Sequence, residues 1–194
     1  MENRAHTAGK VCPGRWLKIA LSLLIVAAVL VAGTGCLVSS SAPTTVTTTP
    51  TPAATVSEVT ALIYALANEE RAKRGLPSLE RDDFLEGLAM EHSENMAQSG
   101  YFGHERYGWE RSLYYQLTVG TRRAENLARA PVREYNPGRL LSSEEIAAWT
   151  IQGWLDSPEH REALLDTGLT RTGVGIVKTD EYFYITQDFE GKSD

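Results

Sequence analysis

The sequence predicts an α+β fold for its C-terminal two-thirds, an antiparallel sheet covered by helices. Three observations carry that reading. Apolar residues recur at helical spacing between residues 57 and 165, and Gly, Pro, Ser and Asp mark where those runs start and stop. After Gly173 the period changes to alternation, with aromatic and β-branched residues. Helices first and strands last is the order of an α+β domain.

Ser57 caps a first helix running through Arg74, with Val59, Leu62, Ile63 and Leu66 on one stripe. Arg71, Lys73 and Arg74 occupy its last turn, where cations suit the helix dipole, and Gly75 and Pro77 end it. Arg71 is expected to pack its stem and pair a carboxylate. A second helix spans Asp83–Ser99, with Leu85, Leu88, Ala89, His92 and Met96 on one face and Gly100 as its stop. Tyr101 to Ser143 reads as loop-rich, with one short helix over Arg111–Leu117. Ser142 and Glu145 form a capping box for a third long helix, in which Trp149 and Trp154 read as core residues. Ser157 as cap and Pro158 as first residue start a short helix that ends near Gly168 and carries His160 in its first turn. GVGIVK and YFYITQDF, turned at Thr179–Glu181, form an antiparallel hairpin.

The N-terminal third has a different character. No Asp, Glu, Lys or Arg occurs from Ile19 to Ser57, and Ile19–Ala32 is almost wholly apolar behind Arg15 and Lys18. A basic flank before an apolar run is the pattern of a secretory signal or an N-terminal anchor, and the basic side stays in the cytoplasm. Residues 1–37 are therefore read as signal peptide or membrane anchor. Cys36, in GTGCL, is either a lipidation site after cleavage or a small residue ending a membrane helix. Residues 38–57 form a Ser/Thr/Pro-rich linker, too poor in large apolar side chains to fold. Residues 58–194 form the domain, placed on the extracytoplasmic face of the membrane, tethered or secreted.

A net charge of −6 argues against nucleic acid as a partner. Both cysteines, Cys12 and Cys36, precede the domain. That excludes a disulfide scaffold, a cysteine-ligated zinc and a cysteine nucleophile within it.

Five blocks then stand in order: NEERAKRGLPSL, HSENMAQSGYFGH, AENLA, WLDSPEHREALL and GVGIV followed by YITQDF. Together they resemble the CAP superfamily (cysteine-rich secretory proteins, antigen 5, pathogenesis-related proteins; the SCP domain), in its short, cysteine-poor prokaryotic form. The resemblance implies an α-β-α sandwich with a cleft lined by two histidines and two acids. His104 and His160 match the histidines, and Glu125 of AENLA matches the first acid. The place of the second acid holds Ser157, with Asp156 and Glu159 as neighbouring substitutes. It further implies a small apolar or lipid-like ligand, or a cell-envelope component, as partner.

Without the family, a carboxylate between two imidazoles can orient them and raise their basicity. A divalent metal such as zinc is a chemical option for His104 and His160, although catalytic zinc normally takes three protein ligands. His92 shares a face with Leu88 and Met96 and reads as a core or pocket-edge residue. Two functions follow, a binding module and a metal-assisted, protease-like hydrolase using the same cluster. Binding ranks first, because the sequence contains no GxSxG elbow and no HExxH helix.

Overall fold

The computed structural model describes residues 52–104, 114, 120–135 and 138–191. The expected signal or anchor segment, Cys36, residues 38–51 of the expected linker and most of the helix expected over Arg111–Leu117 lie outside these residues. The linker's last residues are instead part of the fold, with Ala54 buried and Val56 and Ser57 in the first helix. No described helix is long and apolar enough to cross a membrane.

Helix α1 covers Val56–Ala72. Its cap is Thr55, two residues before the expected Ser57. The Thr55 hydroxyl oxygen accepts from Glu58 N at 3.3 Å and donates to the Glu58 carboxylate at 2.8 Å, so the capping motif that wins is the one with a reciprocal partner. Val59, Ile63 and Ala67 are buried, and Arg71 continues their stripe with no exposed surface. The Arg71 guanidinium donates to the carbonyls of Pro77, Leu164, Asp166 and Leu169 at 2.9–3.2 Å. The expected carboxylate partner is thus replaced by backbone, with the Asp166 charge supporting it nearby.

Helix α2, Asp83–Ser99, starts under the Asp82 carboxylate, which accepts from Phe84 N and Leu85 N at 3.0 Å, and stops at Gly100 with φ 66°. Strand β1 is the short Glu80–Arg81. Strand β2, Arg122–Pro131, occupies what reads in sequence as loop. Helix α3, Ser143–Asp156, has the expected Ser142–Glu145 capping box. Helix α4, Pro158–Leu165, begins with Pro158, but the Ser157 side chain makes no capping bond. Strands β3, Leu169–Lys178, and β4, Tyr182–Gly191, form the expected antiparallel hairpin.

The sheet order is β1-β3-β4-β2. It departs from a wholly antiparallel sheet at one edge, where β1 pairs parallel to β3. Strand β2 pairs antiparallel to β4 in unbroken register, with Glu125 opposite Asp188 and Asn126 opposite Gln187. One face buries Val174, Ile176, Phe183, Ile185 and Phe189 against α1 and α3. The other face lies under α2, where Met96 packs with Leu127 and Tyr184. The result is the α-β-α sandwich.

Glycine spacing sets how closely α2 lies on the sheet. A Cβ at Gly173 would meet the backbone of Leu85 and Glu86, and one at Gly175 the backbone of Ala89 and Met90. Ser93, buried at this contact, donates to Gly175 O at 2.9 Å and lies 2.9 Å from Thr186 Oγ1. Gly175→Ala should therefore force α2 off the sheet and destabilise the fold by roughly 2 kcal/mol or more. Chemical denaturation checks this: the midpoint should fall well below that of the parent chain.

Candidate functional site

The pleat of β2 sends consecutive side chains to opposite faces, and this sorts the site. Glu125, nearly buried, turns toward α2 and the segment that follows it. His104, on that segment, lies with Nδ1 2.6 Å from Glu125 Oε1 and is half exposed. His92, with no exposed surface, holds the same segment from below: its Nε2 is 3.1 Å from Gly103 O and 3.8 Å from Glu125 Oε2. His92 is thus a positioning residue for the backbone that carries His104.

Asn126 turns the other way, and its Nδ2 donates to His160 O at 3.0 Å, fixing the first turn of α4 to the strand. The next residue in β2, Leu127, accepts from Trp154 Nε1 at 2.9 Å. These contacts bring the His104 and His160 rings to a centroid separation of 6.3 Å. The structure therefore gathers His104, Glu125 and His160, with His92 behind them. Asp156 is exposed and accepts from Gln152 Nε2 at 2.8 Å. Glu159 is exposed too, close enough to His160 to act on its charge.

The His160 imidazole pKa lies below its ordinary value of 6.5, mainly through burial and next through the neighbouring His104, with Glu159 opposing. Its place in the first helical turn favours the same neutral form.

Among the described residues, no group of three or more His, Cys, Asp or Glu side chains is placed to hold a metal ion. Glu125 is occupied by His104, which leaves two imidazoles where catalytic zinc takes three protein ligands. Among the described residues, the donors gathered here are thus two imidazoles and one carboxylate already paired with His104.

Beside the imidazoles runs a groove of ≈ 280 Å³. Leu127, Ala128 and Arg129 line it from β2, Trp149, Gly153 and Trp154 from α3, with Phe102 and His160 completing the wall. Trp149, expected in the core, is half exposed at this groove; Trp154 is buried as expected. Phe102, Arg129 and Gly153 carry no sequence signal of a site. Arg129 becomes legible only once β2 is recognised as a strand.

The family model for "CAP: Cysteine-rich secretory protein family" matches residues 64–189. YkwD of Bacillus subtilis (strain 168), itself uncharacterized, is 30% identical over 160 residues, covering 79% of this chain and 56% of that protein. An extracellular protein containing an SCP domain, from Bacillus anthracis, is 29% identical with a TM-score of 0.51, covering 70% of this chain and 41% of that one. An outer surface protein of Borrelia burgdorferi shares the fold at 22% identity and TM-score 0.54, over 70% of this chain and 94% of its own. The chain thus spans about half of the two Bacillus relatives.

A titration tests the electrostatics of the site. By NMR, the His160 midpoint should lie below 6.5 and move upward in His104→Ala, which removes the second cause of the depression. The fold favours neutral His160, so its contribution to stability is fully present above the unfolded pKa and declines as pH falls toward the lower folded value.

Proposed function

The chain belongs to the cysteine-rich secretory protein (CAP) family, and on that premise we propose that its domain is an extracytoplasmic binding module. The ligand is a small apolar or lipid-like molecule, or a cell-envelope component with an apolar part, held in the groove beside His160. One observation carries this reading. Trp149 and Phe102 stand 49% and 40% exposed on a concave surface that also contains Leu127 and Trp154. Large apolar side chains left open around a concavity, with a few polar groups at its end, characterise ligand sites. The extracellular and outer-surface descriptions of the relatives support a location outside the cytoplasm. The apolar segment behind Arg15 and Lys18 supplies a route to the membrane, by cleavage and lipidation at Cys36 or as an uncleaved anchor.

The hydrolase reading has less support. In the 2.6 Å pair of His104 with Glu125, the carboxylate orients an imidazole, which is one part of a catalytic arrangement. A third metal ligand that would complete it is not placed beside the pair among the described residues.

Gly153 offers a selective test. It lies on α3 at the groove, and a Cβ built there meets nothing within 4 Å. Gly153→Leu should fill the groove while helix propensity gains roughly 0.5–1 kcal/mol. Organic extraction and mass spectrometry of the purified chain should show the co-purifying ligand reduced at least about tenfold, with the thermal midpoint unchanged or raised. Equal ligand in both chains would remove the groove from the account.

A further inference from the structure

Among the described residues of this acidic chain, arginine is almost everywhere committed. Every described arginine other than Arg129 donates a hydrogen bond to a carboxylate or a backbone carbonyl. Arg129 alone among them has no oxygen partner. It has aromatic ones: its guanidinium carbon lies 4.8 Å from the Tyr182 ring centroid and 5.5 Å from that of Phe102. Stacking of this kind holds a guanidinium in place through its face and leaves the in-plane N–H fork available. The residue is exposed and lines the same groove as Phe102, Trp149 and His160.

A cation that is oriented by aromatic rings, unspent on any carboxylate and set in an apolar groove is built to take a charge from outside. We propose that Arg129 is the anion-recognising group of the groove. The ligand is then an amphiphile: one oxyanion, carboxylate or phosphate, on an apolar body. The oxyanion takes the guanidinium fork, and the body lies along Phe102, Leu127 and Trp149. This inference rests on the groove being the ligand site and adds the charge of what fills it. An anion facing two N–H donors of the guanidinium gains charge-assisted hydrogen bonds, roughly twice as strong as neutral ones.

The test uses three probes with one bicyclic body: 1-naphthoate, 1-naphthyl phosphate and the uncharged 1-naphthalenemethanol. Each is titrated calorimetrically into the full chain and into its Arg129→Gln and Arg129→Lys variants, all in one detergent so that partitioning cancels between variants. At least one anion should bind the parent chain about tenfold or more tightly than the alcohol. Whichever anion does so identifies the head group. Arg129→Gln should bring that anion down to the affinity of the alcohol and leave the alcohol unchanged. Arg129→Lys, which keeps the charge and loses the fork, should keep part of the preference. Arg129 is exposed, and an unchanged circular dichroism melt shows that the variants fold. Anions and alcohol binding the parent equally would overturn the role of Arg129 while leaving the groove as a ligand site. So would an anion preference that survives Arg129→Gln. Binding of no probe at all would overturn both.

Discussion

The site depends on the pleat and register of one edge strand. β2 pairs with β4 without a break from Arg122 to Pro131, and that ladder decides which side of the sheet each residue serves. Glu125 goes to the α2 side and meets His104 and His92, while Asn126 goes to the other side and holds α4 at His160. Leu127 presents its carbonyl to Trp154. Three successive residues thus draw three separate segments to one place. A slip of a single residue would exchange the faces and send the carboxylate away from the imidazoles. Bulges are absent along this ladder; the irregularity in the described sheet falls at Leu169–Arg171, at the far end of β3.

Rigidity behind the strand comes from the two faces of the sandwich. α2 sits close on β3 because Gly173 and Gly175 have no Cβ to hold it off, and this closeness brings His92 beneath the segment carrying His104. On the opposite face Arg71 ties α1 to the end of α4 and the start of β3 through the carbonyls of Leu164, Asp166 and Leu169, with that of Pro77 holding the turn after α1. Pro77 and Asp166 lie outside helices and strands, Leu164 is in the last turn of α4 and Leu169 opens β3, so these carbonyls sit where segments end and intrahelical or ladder partners run out. A buried guanidinium there is costly to desolvate, which lowers its pKa, yet its hydrogen bonds keep it charged and fix where α4 ends. The position of His160 is thereby determined from both ends of its helix, by Asn126 at the start and by Arg71 beyond the finish.

Much of this was legible in the sequence where local chemistry and tertiary structure agree. The α2 span follows from its apolar face and Gly100, the α3 start from its capping box, and the hairpin from its alternation. The histidines and Glu125 were legible through the family blocks. Strand β2 was not, because RRAENLARAP is composed of residues that suit a helix, and only the β4 ladder makes it extended. With that strand missing, Arg129 had no face and the groove had no wall. Trp149 misled for the related reason that the apolar stripe of α3 is wider than the core it covers, so its edge is left to the groove. Arg71 was located correctly at the end of its helix, but composition cannot distinguish a carboxylate partner from a ring of carbonyls.

An edge strand is a hazard, since its outer N–H and C=O groups invite pairing with another chain. The described sheet ends at β2, and the groups that line the groove answer that hazard. The Trp154 indole occupies the Leu127 carbonyl, Arg129 places a charge on the rim, and the aromatic residues Phe102 and Trp149 flank the strand from either side. Consecutive residues Leu127, Ala128 and Arg129 all border the groove, which a cavity over one face of a pleated strand would not produce. The groove is therefore a feature of the strand's edge. Protection of the edge stops short of burying it: enough surface is covered to discourage a second strand, and what remains open is a narrow, mostly apolar channel with an arginine on its rim. The same residues that guard the edge therefore also shape the groove beside it.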